Sequence, residues 1–390
     1  MTSIREAIRR MFAPVMPLPP GMYHYQAPPD DPKNYRLHLR LEPDGSGLLV
    51  VNASTILHLN QTAAECAYHL VQQTSDETAA RKIASRYRVS PQKALYDYRD
   101  LKERIEILVA TTDLDPETFL DFERAAPQAL SAPLRLDCAL TYTLPEGVEP
   151  FFAPGKRVSR ELTTPEWQSI LDKAWGVGIP HVIFTGGEAT LRPDLISLVN
   201  HAERNGQVTG LLSDGLKLND GEYFNQLLQS GLDHLLFLLQ PGVEASWTAL
   251  KAALEADLFV VVHVTLSTGN MSEIPMLLER LADQGVKHIS LSASDEAVQD
   301  GLATARNKAA ELDMQLIWDI PVPYSAANPV SLEVQADGSS YNAGVNWLYI
   351  EPDGDVLPTQ GDTRLLGNIL TDSWEKIWSN RHETAEVKPA

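Results

Sequence analysis

The chain has 390 residues, of which 44% are apolar and 22% charged, an ordinary globular balance with room for roughly two or three cores. Its net charge of −20 and pI near 4.9 argue against a nucleic-acid partner, because phosphate binding needs clustered Lys and Arg. The two cysteines, Cys66 and Cys138, exclude a disulfide framework and any site drawing three thiolates from this chain.

Reduced thiols fit a cytoplasmic protein, and no stretch is long and apolar enough to form a transmembrane segment. In chain order, Ile4, Ala7, Ile8, Met11 and Phe12 fall at helical spacing, and Pro-rich sequence follows. Residues 1–34 therefore read as an arm with a short amphipathic helix. Residues 35–110 read as a compact unit. Tyr35–Leu41, Gly47–Val51 and Ile56–Leu59 are strand candidates. Three helices follow, the first capped by Asn60 or Thr62 and the third opened by Ser90-Pro91. Three strands and then three helices resemble a small winged-helix unit.

Residues 111–133 read as a linker. From Leu134 the rhythm changes. Strands are expected at 134–142, 180–185, 207–212, 234–239, 258–266, 287–292 and 314–320, with helical patterns between them. Alternation of this kind predicts an α/β fold with a parallel sheet closed fully or partly into a barrel. Runs such as Leu235–Leu239 and Phe259–Val262 suit strands covered on both faces. Thr163 with Glu166 forms a capping-box pattern, with Pro165 in the first turn of a helix. Near the end, Trp347–Val356 reads as a hairpin turning at Asp353-Gly354, followed by a turn and a short helix to Trp378.

Cys138-Ala-Leu-Thr-Tyr142, followed by Phe184-Thr-Gly-Gly-Glu-Ala-Thr-Leu-Arg-Pro-Asp194, resembles the core of the radical S-adenosylmethionine (SAM) superfamily. The likeness extends to members with a PqqD-like domain in front and a SPASM domain behind. Ile56-Leu-His-Leu-Asn-Gln-Thr-Ala-Ala-Glu65 carries the PqqD-like resemblance, which implies recognition of a leader peptide by strand addition. The resemblance implies a radical-SAM-like partial (β/α) barrel at 134–330 and a SPASM-like remnant at 331–390.

In that family a CxxxCxxC loop after the first barrel strand holds a [4Fe-4S] cluster, and the cluster binds SAM. Here the motif positions fall on Leu144, Val148 and Phe151, none of which can ligate iron. Tyr341 and Thr359 stand where the family places auxiliary-cluster cysteines. No metal site and no [4Fe-4S] cluster are therefore expected, and no cofactor beyond residual SAM binding. That residual pocket would comprise Thr185, Gly186, Gly187, Glu188, Ser213, Gln240 and Ser292. Carboxylates such as Glu188, Asp194, Asp214 and Asp319 are expected to cap helices or pair with cations, so no residue is assigned as catalytic.

The expected function is that of a pseudoenzyme scaffold. It would bind a peptide or a protein partner, an active radical SAM enzyme among the candidates. The alternatives are an enzyme that binds SAM or a nucleotide and does non-radical chemistry, and a structural subunit of a larger assembly.

Overall fold

This computed structural model describes residues 15–28, 30, 31, 33, 35–52, 55–111, 130–146, 158–294, 296–317 and 344–381. The helix expected in residues 1–12 lies outside them. The chain divides into two compact units, Met1–Ser131 with Gly176–Gly178, and Ala132–Trp175 with Ile179–Ala390.

In the first unit, strands β1 (Gly21–Gln26), β2 (Arg36–Leu41), β3 (Gly47–Val51) and β4 (Thr55–Leu59) form an antiparallel sheet in that order. Helices α1 (Gln61–Val71), α2 (Asp76–Tyr87) and α3 (Pro91–Ala110) follow. Alternation along β2 turns Leu37, Leu39 and Leu41 into a core shared with Ala67, Ile83 and Ile105 of the helices. Asn60 caps α1 by accepting from the Ala63 amide at 3.0 Å, and Ser90 caps α3 through the Lys93 amide at 3.2 Å. Strand β1 lies within the stretch read as an arm. Its pairing runs from Gly21 opposite Leu41 to Gln26 opposite Arg36. Tyr23 packs edge-on against Tyr68, with ring centroids 4.9 Å apart, so aromatic burial outweighs the flanking prolines.

The second unit is an α/β structure. Strands β5 (Arg135–Thr141), β6 (His181–Gly186), β7 (Val208–Ser213), β8 (His234–Leu238), β9 (Phe259–Leu266), β10 (His288–Ala293) and β11 (Gln315–Leu316) lie parallel and in chain order. Between them run α4 (Thr164–Gly176), α5 (Leu195–Asn205), α6 (Gly221–Gln229), α7 (Glu244–Glu255), α8 (Ile274–Asp283) and α9 (Gln299–Glu311). Each expected strand is present, the last shortened to two residues, with 318–320 outside the described residues. The capping box also forms, with Glu166 accepting from the Thr163 amide at 2.9 Å.

The expected hairpin is β12 (Trp347–Ile350) and β13 (Asp355–Leu357), with Gly354 at φ +92° between them. Strand β14 (Gly367–Asn368) and helix α10 (Trp374–Asn380) are the last elements among the described residues. β12 pairs parallel with β5 and covers what would otherwise be an exposed edge. Lys173 donates to the Ile369 and Asp372 carbonyls, both at 2.6 Å, and ties this segment to α4.

One face of the sheet carries an apolar row of Ile183, Leu212, Leu236 and Val261 across four neighbouring strands. Toward the N-terminal ends of the strands, His181 and His234 meet across β7, with Nε2 atoms 3.2 Å apart. They can meet because Gly210 lies between them. A Cβ there would overlap the His234 ring. Burial, and after it Arg135, pushes the His234 pKa down to about 4, so that ring is neutral. Gly210→Ala should therefore destabilise the second unit by about 1–3 kcal/mol, read as a lower urea midpoint. An unchanged midpoint would refute this account of Gly210.

Candidate functional site

The Gly-Gly-Glu segment leaves β6 alongside the residues that follow β5. The Gly187 amide donates to the Thr141 carbonyl at 2.8 Å, and the Glu188 amide donates to the Thr143 carbonyl at 2.9 Å. A Cβ on Gly186 would collide with the Thr141 carbonyl oxygen, and one on Gly187 with that of Thr143. The glycines thus allow close backbone packing at this turn.

The seam aims Glu188 inward, where it is buried. Its Oε1 accepts from the Thr190 amide (2.9 Å), the Thr190 hydroxyl (2.6 Å) and the Ser213 hydroxyl (2.9 Å). Its Oε2 accepts from the Asp214 amide at 2.9 Å. The carboxylate also caps the turn Ala189–Leu191. Asp214 accepts from the Leu216 amide at 2.9 Å, and the Gln240 amide group reaches its other oxygen at 3.5 Å. Gln240 is held in turn by the Ser246 hydroxyl, 3.1 Å from its backbone nitrogen. Lys217 donates to the Thr190 carbonyl at 2.6 Å and lies over the Tyr223 ring. Burial, and then the neighbouring Asp214 charge, raises the Glu188 pKa above its ordinary 4.5. Burial likewise raises that of Asp214.

Of the other expected pocket residues, Thr185 is fully buried and its Oγ1 has no hydrogen-bond partner among the described residues. It lies two residues beyond Ile183, on the face of the apolar row. Ser292 belongs to a separate cluster. Its hydroxyl is 2.9 Å from His263 Nε2 and 3.3 Å from Thr265 Oγ1, and Ser290 Oγ is 3.1 Å from His263 Nδ1. Burial alone pushes the His263 pKa down to about 3, so the ring is neutral and donates from one nitrogen only. The sequence reading missed His263, Thr265 and Ser290. The signal was there: His263-Val-Thr265 and Ser290-Leu-Ser292 put a polar residue at every second position of adjacent strands, on one face.

The positions expected to have lost cluster ligands divide in two. Leu144 is half-buried, and Thr359 is held by the Trp347 indole N–H at 3.3 Å. Val148, Phe151 and Tyr341 lie outside the described residues. Both cysteines are described, free and buried, Cys66 in α1 and Cys138 within β5. Burial raises both thiol pKa values, that of Cys66 to about 12, the reverse of what a thiolate ligand requires. Among the described residues no group of three His, Cys, Asp or Glu could hold a metal ion. This donor set does not fit an iron–sulfur cluster.

The strand-ordered parallel sheet of this chain resembles the fold of radical SAM peptide-modifying enzymes. It matches *Streptococcus suis* SuiB bound to the precursor peptide SuiA with a TM-score of 0.58, at 15% identity, over 91% of this chain and 88% of that one. SuiB bound to S-adenosylmethionine matches with a TM-score of 0.56, at 14% identity, over the same shares. PqqA peptide cyclase of *Streptomyces rochei* is 31% identical over 287 residues, 65% of this chain and 77% of that protein. The chain belongs to the radical SAM family, alongside the PqqA peptide cyclases. The sporulation killing factor maturation protein SkfB of *Bacillus subtilis* is 24% identical over 369 residues, 88% of this chain and 87% of that one. No protein-family model matches the chain.

These comparisons correct one expectation. A chain without a cofactor was expected, yet the relatives are radical SAM enzymes, and SuiB is seen with S-adenosylmethionine bound. The groups at these strand ends that would suit SAM are the Thr185 hydroxyl, unpartnered among the described residues, and the Asp214–Gln240 pair. Among the described residues no helix is long and apolar enough to cross a membrane.

Because the folded state raises the Glu188 pKa, its contribution to stability is complete below pH 4.5 and fades as pH rises through the folded value. Glu188→Gln should flatten that decline. It should also cost about 1–3 kcal/mol, because an amide N–H₂ in place of one oxygen cannot accept from the Asp214 or Thr190 N–H. Urea midpoints of both proteins between pH 4.5 and 8 test this (about one unit past neutrality). Parallel pH profiles would exclude Glu188 as the source.

Proposed function

We propose that this chain binds a precursor peptide and S-adenosylmethionine without cleaving SAM reductively, acting as a recognition scaffold of radical SAM ancestry. The observation that carries this reading is the pairing of a radical SAM family framework with only two thiols, both buried inside regular elements. The first unit is read as a PqqD-like domain, and its sheet ends on β4 as an edge strand. An extended peptide can add to such an edge, with its main chain supplying hydrogen bonds. SAM is placed at the C-terminal strand ends of the second unit, in a partial barrel beside Gly186-Gly187-Glu188. There Glu188 orders the mouth, since its carboxylate is already satisfied by the protein's own donors. Any active radical SAM partner would supply the radical step.

Two measurements test this reading. Calorimetry should show saturable SAM binding, while an anaerobic assay with dithionite, after reconstitution with iron and sulfide, should yield no 5′-deoxyadenosine. Deoxyadenosine formed in turnover would sink the scaffold reading. Hydrogen exchange with the SuiA and PqqA peptides as probes should show slowed exchange at the β4 amides of residues 55–59. Unchanged exchange there would remove the peptide reading.

A further inference from the structure

The first unit holds a cavity of about 430 Å³ that the strand-addition reading does not use. Its walls come from the start of β2, the end of α1, the start of α2 and the second half of α3. The edge strand β4 contributes none of them. The size lies within the usual range of ligand sites. Leu37, Leu70, Ile105 and Val109 form an apolar floor, with Tyr35 and Tyr98 among the walls.

Charge on the rim is uneven. Asp76 pairs with Arg99 at 2.9 Å and Lys102 at 3.3 Å, and Arg99 also reaches Glu77 at 3.6 Å, so these two acids and two bases balance. Asp31 and Glu106 have no ion-pair partner among the described residues, and Lys33 is the only unpaired cation on the same rim. Two carboxylates facing one ammonium leave the rim net negative. Tyr35 registers both: burial, then Tyr25, then Asp31 and Glu106, push its phenol pKa up to about 12. The whole chain is acidic as well, at −20, which favours approach by a cationic partner.

We propose that this cavity receives a lysine or arginine side chain of the bound peptide, with its alkyl stem on Leu37, Ile105 and Val109 and its cationic head between Asp31 and Glu106. Stems of this kind pack on apolar surface while the charge stays near water. The site rests on the peptide reading above and adds a selection rule to it: peptides with a basic residue are preferred over neutral or acidic ones.

The test uses the full chain with ¹³C-labelled Leu, Ile and Val methyls. The probes are Nα-acetyl-lysine methylamide and its norleucine and glutamate counterparts. The lysine probe should shift the methyls of Leu37, Leu70, Ile105 and Val109 saturably. The norleucine probe should bind about tenfold more weakly, and Glu106→Gln or Asp31→Asn should weaken the lysine probe by a similar factor. Equal binding of norleucine, preference for glutamate, or indifference to both substitutions would overturn the proposal. Slowed β4 exchange without lysine-dependent shifts sinks the cavity alone. Lysine-dependent shifts with unchanged β4 exchange sink the peptide reading and leave a site for basic ligands.

Discussion

The close backbone seam between β6 and the residues after β5 organises one end of the second unit. Two glycines pass so near the Thr141 and Thr143 carbonyls that no side chain fits at either position. Because they pass that close, the Gly187 and Glu188 amides pair with those carbonyls and carry the ladder past the last strand residues. The seam fixes where Glu188 enters. Glu188 then collects donors from Thr190, Ser213 and the Asp214 amide, and Asp214 is met by Gln240. Asp214 and Gln240 extend the tie to the end of β8, while the ends of β5, β6 and β7 are held by backbone packing and one buried carboxylate. A buried carboxylate is costly unless several donors satisfy it, and this one is.

The same face of the sheet changes character along its length. Its middle is apolar, with Ile183, Leu212, Leu236 and Val261 in one row. Beyond that row come Thr185, His263, Thr265, Ser290 and Ser292. Such groups are expensive in a dry core and useful where a ligand completes their hydrogen bonds. His263 and the three hydroxyls complete one another's bonds, whereas the Thr185 hydroxyl is left without a partner. The strand ends therefore combine groups that are already satisfied with one that is not.

Much of this was legible from residue order. Period-two and period-3.6 patterns located the parallel strands and their helices because burial on both faces leaves long apolar runs such as Leu235–Leu239. Caps at Asn60, Ser90 and Thr163 were legible because they depend on neighbours three residues away. Strand β1 was not legible, since its prolines and tyrosines reveal a strand only when β2 is beside them. The role of Gly210 was equally hidden: it depends on His181 and His234, which only the sheet brings together. The Gly-Gly-Glu segment was found by resemblance, but its closest partners proved to be carbonyls of its own chain. Nothing in the local sequence specifies that.

This self-sufficiency means that side chains of the second unit itself order its strand ends. The Glu188 carboxylate accepts from Thr190, Ser213 and the Asp214 amide, and Gln240 is positioned by Ser246. The groups that order those strand ends and the chain's two thiols are different residues. Cys138 illustrates the separation: it packs inside β5 as a small apolar side chain, with its thiol pKa raised by burial, and contributes to the sheet through volume alone. The first unit keeps its shape through a core of its own, in which Leu37, Leu39 and Leu41 meet Ala67, Ile83 and Ile105.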